Sequence, residues 1–328
     1  MIISRTPLRI SFCGGGSDLS SFYQHQPGMV VSTTINKYLY ITVNKKFDNL
    51  IRASYSITEF ARSPQQLKHE LIRESLLMLG INGGIEITSI SDIPSKGTGL
   101  GSSSSYTVGL LNALHAYKGE HLSSQQLAQE ACEVEINRCQ KTIGKQDQYI
   151  AAFGNLNSIR FDCDGEVFVD PIICRPEVKK KLEENLLMLY TNITRSSSTI
   201  LTNQDKETSQ SPFKREILAK MVALAKQLKI SIERNNLDDF GDLLHQNWEL
   251  KKQITGGISN IEIDKWYRIA RKKGALGGKI LGAGGGGFLL LYAPKRKHRE
   301  ICQSLPRLRP VSFCFEPEGS KIIYFGEK

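Results

Sequence analysis

The segment Pro94-Ser95-Lys96-Gly97-Thr98-Gly99-Leu100-Gly101-Ser102-Ser103-Ser104-Ser105 sets closely spaced glycines before a run of serines. Glycine lets a backbone approach a phosphate chain closely and adopt positive φ. The serines lead into Val108, Leu111, Leu114 and Tyr117, which have helical spacing, so they open a helix. A helix N-terminus offers unpaired N–H groups and a partial positive charge to an anion. Serine hydroxyls there bond phosphate or ligate Mg²⁺. The plain alternative is a flexible loop capped by serines, but a β-like run before it and a periodic helix after it argue for the phosphate role. It is not a Walker loop, which needs lysine after the last glycine, because Ser102 follows Gly101. The glycine spacing is also wrong for a dinucleotide fingerprint, and no βαβ unit surrounds it.

Further segments carry chemistry. Cys13-Gly14-Gly15-Gly16-Ser17-Asp18 follows a predicted strand holding Arg5 and Arg9. Its glycines make a tight turn that presents the Asp18 carboxylate, either to vicinal sugar hydroxyls or as an ordinary turn residue or helix cap. Gly277-Gly278-Lys279-Ile280-Leu281-Gly282-Ala283-Gly284-Gly285-Gly286-Gly287 precedes an apolar strand. So much glycine costs entropy on folding, which favours close approach over a hinge. Gly144-Lys145-Gln146-Asp147-Gln148 lies beyond a helix carrying Glu133 and Glu135. A carboxylate beside a basic side chain orients or deprotonates an attacking hydroxyl.

These segments need a scaffold. Strands are predicted at 30–31, 38–43 and 85–90, from β-branched, aromatic or alternating residues. Helices are predicted over 65–79 and 124–139, the latter capped by Ser123 or Ser124. Strands over 155–170 surround an Asp164-Gly165 turn. The style changes near 171–176. Beyond lie a strand at 186–191, helices over 214–234, 237–253 and 261–273, a strand at 288–292, a basic helix after Pro294, and strands at 311–315 and 322–324. Strands and helices are segregated, which indicates α+β. A length of 328 residues fits two domains at about 150 residues each, divided near 170 into 1–170 and 171–328.

Composition narrows the class. The 43 Lys and Arg exceed the 33 Asp and Glu, for a net charge of +10. The basic residues are spread out, without the aromatic-interleaved stripe of a nucleic-acid binder. The tightest run, Lys295-Arg296-Lys297-His298-Arg299, reads as a solvated helix face. The excess suits a phosphorylated small molecule. No apolar run reaches the roughly 18 residues of a membrane helix, so neither membrane nor nucleic-acid partners are expected, and a cytoplasmic location is. The seven cysteines show no CxxC spacing and read as free thiols. Tyr149 and Trp248 read as core residues rather than a base-stacking set with Tyr106.

Taken together, the segments resemble the GHMP kinases. Pro94, Gly99-Leu100-Gly101 and Ser102-Ser103 match the family's central P-x-x-x-G-L-G-S-S motif with one extra residue. Thr6-Pro7-Leu8-Arg9 through Gly14 and Asp18 match its N-terminal motif, and Gly282-Ala283-Gly284-Gly285-Gly286 its C-terminal one. The resemblance is closer to the sugar-1-kinase branch through Gly14–Leu19, Gly97–Ser105, Gly144–Tyr149 and Gly277–Lys279. It implies a two-domain α+β GHMP kinase fold with the active site in the interdomain cleft, ATP and Mg²⁺ as cofactors, and a phosphorylated sugar as acceptor. It implies an ATP-phosphate cradle from Pro94, Lys96, Gly97, Gly99, Leu100, Gly101, Ser102, Ser103 and Ser104, with Ser103 and Glu135 on Mg²⁺. Asp147 matches the catalytic aspartate and Arg9 the basic residue beside the reacting hydroxyl. Asp18, with Gly15, Gly16 and Ser17, matches the sugar site, joined by Gly284 and Gly285. Where galactokinase has Glu-His, this chain has Gly15-Gly16, which argues against galactose-type recognition. Arg195 is the first candidate for the acceptor's phosphate, with Lys37, Lys96 and Lys145 behind it. Alternatives are a 1-kinase for unphosphorylated fucose or mannose, an ATP-dependent decarboxylase and a non-catalytic sugar sensor.

Overall fold

A computed structural model of the chain describes residues 1–94, 97–194 and 197–326. The chain opens with β1 (Ile2–Cys13), α1 (Ser20–Tyr23), β2 (Gly28–Lys45), β3 (Ile51–Ser54), β4 (Thr58–Ala61), α2 (Glu70–Met78) and β5 (Ile85–Ser91). Then come α3 (Ser102–Lys118), α4 (Ser124–Cys132), α5 (Gln146–Phe153), β6 (Leu156–Phe161), β7 (Val167–Pro171), α6 (Pro176–Asn185) and β8 (Leu186–Tyr190). The remainder comprises α7 (Ser197–Gln210), α8 (Pro212–Glu233), α9 (Phe240–Lys251), α10 (Ile261–Lys272), β9 (Gly277–Ile280), β10 (Phe288–Tyr292), α11 (Lys295–Ser304), β11 (Arg309–Pro310) and β12 (Lys321–Phe325).

Among the described residues the strands form two sheets. One runs β12-β1-β2-β5-β3-β4, with β6 and β7 attached through β2, and the other runs β11-β8-β10-β9. Only β3 and β5 pair in parallel among these strands. The two stretches expected as separate strands at 30–31 and 38–43 belong to β2, whose first part pairs with β6 and whose second part pairs with β5. A register irregularity between Pro7 and Leu8 lets β1 follow both parts, and it falls where proline offers no ladder N–H.

Two apolar cores result. One lies under the first sheet, where Val30, Leu39, Ile41 and Val43 of β2 meet Val108, Leu111 and Leu114 of α3. The other is shared by the two halves of the molecule: Leu8, Ile10 and Phe12 of β1 cluster with Leu189, Leu218, Phe240 and Leu290. Phe240 is fully buried, with its ring 5.4 Å from Phe12 and 4.7 Å from Tyr292. The halves are welded by this core rather than hinged across a wet interface.

Local differences from the sequence reading have local causes. The helix expected over 65–79 is a 3₁₀ turn (Pro64–Gln66) followed by α2, because His69 accepts from the Ile72 N–H and starts the helix there. The helix expected over 124–139 is α4, capped by a reciprocal Ser123–Gln126 box, and it then widens into a π turn over Glu133–Arg138. Helices α6 and α7 were not anticipated. The expected strand at 311–315 is an extended segment whose Phe315 forms only an isolated bridge to Ile35. Strand β12, from beyond residue 170, pairs antiparallel with β1 in the first sheet. The seven cysteines are free, and Tyr149 and Trp248 are core residues at 3% and 1% exposure. No helix among the described residues is long and apolar enough to cross a membrane.

Replacing Phe240 by alanine should cost about 3–5 kcal/mol, as for other buried aromatic truncations. Because that ring touches both halves, chemical denaturation should show one earlier transition for the whole molecule, not two separated ones.

Candidate active site

The first sheet and the glycine segment before β10 face each other across a cleft of about 840 Å³. Strand β1 brings Arg9 and Ser11 to its floor, and the Arg9 N–H donates to the Leu100 carbonyl at 3.1 Å. The loop before α3 is thereby tied to β1. Gly97, Thr98, Gly99 and Gly101 through Ser104 line the cleft. No side chain caps the α3 N-terminus, where Gly101 is the N-cap, so its first N–H groups remain available to an anion. The glycine segment packs backbone to backbone on this loop. A Cβ on Gly99 would strike the Leu281 carbonyl, and one on Gly282 would stand 2.6 Å from the Gly99 Cα.

Arg9 joins the loop to the acid. Its Nε and Nη2 donate to Asp147 Oδ1 and Oδ2 at 2.7 and 2.6 Å, and its Nη1 donates to the Gly99 carbonyl at 2.6 Å. The Arg9 side chain is 4% exposed and that of Asp147 is 23% exposed. A two-pronged, charge-assisted pair of this kind fixes orientation as well as charge. Asp147 sits in the first turn of α5, where the helix dipole favours a carboxylate.

Asp18 lies beside this pair. It accepts from the Gly16 N–H at 2.8 Å and the Gln146 N–H at 3.4 Å. Burial, and then the charge of Asp147, push its carboxyl above the usual range. Only glycine fits at position 144, since a Cβ there would overlap Asp18 Oδ2.

Glu135, inside the π turn, is fully buried. It accepts from Ser103 Oγ at 2.7 Å and from Gln148 Nε2 at 2.7 Å. Burial raises its carboxyl, partly offset by Ser103. Its neighbour Glu133 faces outward to Asn137 and Arg138, so Glu135 is the carboxylate that reaches the serine run.

Not every residue expected in the site is there. Pro94 is exposed and off the cleft, while Leu100 is fully buried and serves through its carbonyl. Ser17 is spent on the turn: its hydroxyl donates to the Gly14 carbonyl and accepts from the Met29 N–H. Gly284 lines the cleft, but Gly285 is buried behind it, with its N–H on the Ile258 carbonyl. Gly15, Gly16 and Asp18 do line it. Lys145 is drawn away to the Gly165 carbonyl at 2.7 Å and the Tyr23 ring. Lys96 and Arg195 lie outside the described residues.

Two cleft residues carried no role in the sequence reading. Lys251, at the end of α9, donates to the Gly15 carbonyl at 3.1 Å and to Gln204 Oε1 at 3.0 Å. Lys279, on β9, donates to the Ser11 and Phe12 carbonyls at 2.8 and 3.2 Å. Both are buried, at 6% and 4% exposure. Burial pulls Lys251 down to about 8 and Lys279 down to about 7.

The cleft thus holds a β1 arginine clamped to a helix-borne aspartate and to a glycine loop at a helix start. Residues 66–155 match the family description "GHMP kinases N terminal domain", and residues 224–308 match "GHMP kinases C terminal". The chain belongs to the GHMP kinases and is a kinase. It is 28% identical to D-glycero-alpha-D-manno-heptose 7-phosphate kinase of Campylobacter jejuni, over 98% of each chain. It is 25% identical to the L-fucokinase/L-fucose-1-P guanylyltransferase of Bacteroides fragilis, over 89% of this chain and 34% of that larger protein. The crystal structure of a D-glycero-D-manno-heptose 1-phosphate kinase from Bacteroides thetaiotaomicron shares the fold, with a TM-score of 0.82 and 24% identity over the whole of both chains.

The lowered lysines set a pH dependence. An unfolded lysine titrates near 10.4, so above about pH 7 the unfolded chain holds more protons at these sites than the folded one. Stability rises with pH wherever that is so. The Tm of the ligand-free protein should therefore climb between pH 6.5 and 8, and Lys279→Met should flatten the climb in a calorimetric series.

Proposed function

We propose that the protein is a sugar kinase that transfers the γ-phosphate of ATP to the anomeric C1 hydroxyl of D-glycero-α-D-manno-heptose 7-phosphate. The observation that carries a kinase of this kind is the Arg9 clamp, which binds Asp147 with two prongs while holding the Gly99 carbonyl of the loop. One side chain therefore fixes the distance between the phosphate cradle and the group that receives the acceptor hydroxyl. The heptose 7-phosphate is supported by the relative matched over nearly the full length of both chains. On this reading the product is the 1,7-bisphosphate, on the route to GDP-heptose for surface polysaccharide.

ATP phosphates lie along the backbone N–H groups of Gly99, Gly101, Ser102 and Ser103, at the positive end of α3. The sugar occupies the side of the cleft bounded by Gly15, Gly16 and Asp18. Asp18 accepts from ring hydroxyls, since it holds lone pairs beyond those used by Gly16 and Gln146. Asp147 receives the C1 hydroxyl hydrogen bond and aims its oxygen at the γ-phosphorus. An anomeric hydroxyl is more acidic than an ordinary alcohol, and Arg9 already satisfies much of the charge on Asp147. Orientation therefore outweighs proton removal. Arg9 also offsets the negative charge that builds on the transferring group. In a loose phosphoryl-transfer transition state, positioning and charge stabilisation supply most of the acceleration.

The donor set at Ser103 and Glu135 fits Mg²⁺. Both offer hard oxygens, they lie 2.7 Å apart, and the lysine whose charge acts on the carboxylate, Lys141, is itself paired with Glu70. Mg²⁺ commonly takes one or two carboxylates and completes its shell with nucleotide phosphates and water. When bound, the ion neutralises charge on the β- and γ-phosphates.

Phosphorus NMR of the protein with MgATP and heptose 7-phosphate, beside fucose and mannose controls, tests the reading. A new anomeric phosphate resonance split by the C1 proton, with matching ADP, is expected only for the heptose phosphate. ADP without a sugar phosphate means a wrong acceptor. Asp147→Asn breaks the two-pronged clamp and should lower kcat by at least about 10²-fold, the scale of a misplaced reacting group, with the KM for ATP within about twofold. Near-normal kcat would remove Asp147 from the mechanism. Glu135→Gln should raise the Mg²⁺ concentration for half-maximal rate several-fold, which a Mg²⁺ titration reads directly.

A further inference from the structure

The contacts along the cleft floor have an order. Gly99 of the loop touches Arg9, Arg9 holds Asp147, and the Gln146 N–H beside it reaches Asp18. Asp18 holds the Gly16 N–H, and the carbonyl of Gly15 meets Lys251. Along this run of contacts Lys251 comes after Asp18, at the end away from the phosphate loop. It stands where the end of a sugar remote from the transferred phosphate would lie.

The groups gathered there are donors in want of acceptors. Each lysine ammonium has three protons. Lys251 uses two of its own on Gly15 and Gln204, and Lys279 uses two on Ser11 and Phe12. All four partners are neutral carbonyl groups, and neither lysine forms an ion pair among the described residues. Lys251 fixes the Gln204 amide by taking its oxygen, which turns Nε2 toward Gly16. Gln204 is fully buried, and its Nε2 has no hydrogen-bond partner. The buried Ser11 hydroxyl, also on the cleft floor, has none either. Gly16 leaves these donors uncovered, since a Cβ on it would overlap Gln204 Nε2 and stand 3.3 Å from Lys251 Nζ.

Buried charge without a partner is costly, and a chain keeps it where a ligand completes the pair. The acids nearby do not balance it: Asp147 is committed to Arg9, which leaves Asp18 against two ammonium groups. A single extra lysine would suit a polar sugar. Two ammonium groups with an unpartnered amide suit a dianion with several acceptor oxygens.

We infer that Lys251, with Gln204 and Lys279, forms the pocket for the phosphate monoester at the far end of the acceptor sugar, and that it selects phosphorylated over unphosphorylated acceptors. The assignment rests on the sugar-kinase reading for its substrate but not for its anion. It also moves the phosphate role away from Lys37 and Lys145.

The test compares heptose 7-phosphate with unphosphorylated heptose, and mannose 6-phosphate with mannose, in the full-length enzyme and in Lys251→Gln. The variant should lose at least tenfold more kcat/KM on the phosphorylated acceptors than on their unphosphorylated counterparts. An equal loss on both, or no loss on either, overturns the pocket while leaving a sugar kinase. A second arm needs no turnover: calorimetric titration of inorganic phosphate into protein saturated with a non-hydrolysable ATP analogue. The parent should bind phosphate and Lys251→Gln at least tenfold more weakly, and equal binding overturns the pocket. Gln204→Glu guards against a variant that merely unfolds, because a carboxylate on Lys251 supplies the missing counter-charge. It should raise Tm while weakening phosphate binding, and a rise in both, or a fall in Tm, contradicts the inference. If no sugar is phosphorylated by the parent, the sugar-kinase reading fails, and the calorimetric arm still decides the anion site.

Discussion

Everything in the cleft is placed relative to the Arg9 guanidinium. It is planar, presents its donors in a fixed fork, and is 4% exposed, so those donors must find protein partners where they stand. Two donors go to Asp147 and one to the Gly99 carbonyl. Those demands bind three separate parts of the chain: a strand near residue 9, a glycine loop near residue 99 and a helix start near residue 147. A surface pair would contribute little of this rigidity. A buried pair that lost one partner would leave a bare charge, which is why the three parts cannot drift independently.

The glycine segment before β10 closes the arrangement from the opposite side. Backbone meets backbone at Gly99 and Gly282, so the loop is held between its strand neighbour, Arg9, and a second main chain. Beneath it, the core shared by Phe12 and Phe240 keeps the two walls in register. A loop of this composition would be mobile in isolation. Here its conformational freedom is removed by neighbours that are themselves close-packed, and its N–H groups are presented in advance of any ligand, which is how electrostatic stabilisation works best.

Local pattern made the chemistry readable where the signal was local. The glycine–serine run and the glycines before β10 announce themselves by spacing, whereas the aspartate after Gln146 is a weak signal by itself and takes its role from the family resemblance. The strands and long helices did so by period. What escaped depended on distant partners. Ser17 looks like a ligand residue beside Asp18, but Met29 claims its hydroxyl. Lys251 sits in Leu250-Lys251-Lys252-Gln253, the usual composition of a solvated helix end; Lys252 indeed pairs with Glu249, whereas Lys251 is buried against Gly15. The polar helix α7, which supplies Gln204, has too weak a period to announce itself. Residues 311–315 have strand composition, but the segment lies across β2 at one bridge instead of along it. In each case the deciding contact spans many residues, and no window along the chain contains it.

The pairing of β12 with β1, Ile2 opposite Phe325, bears on how the molecule is made. The strand that carries Arg9 leaves the ribosome long before β12, and its outer edge stays unpaired until residues 321–325 have followed. An open edge of this kind is a template for pairing with another chain. The contact is also about as non-local as the chain allows, which slows its formation. During synthesis the nascent protein therefore carries an unfinished sheet beside its future catalytic arginine. Its exposure to misassociation is set by the time of translation, not by the stability of the finished fold.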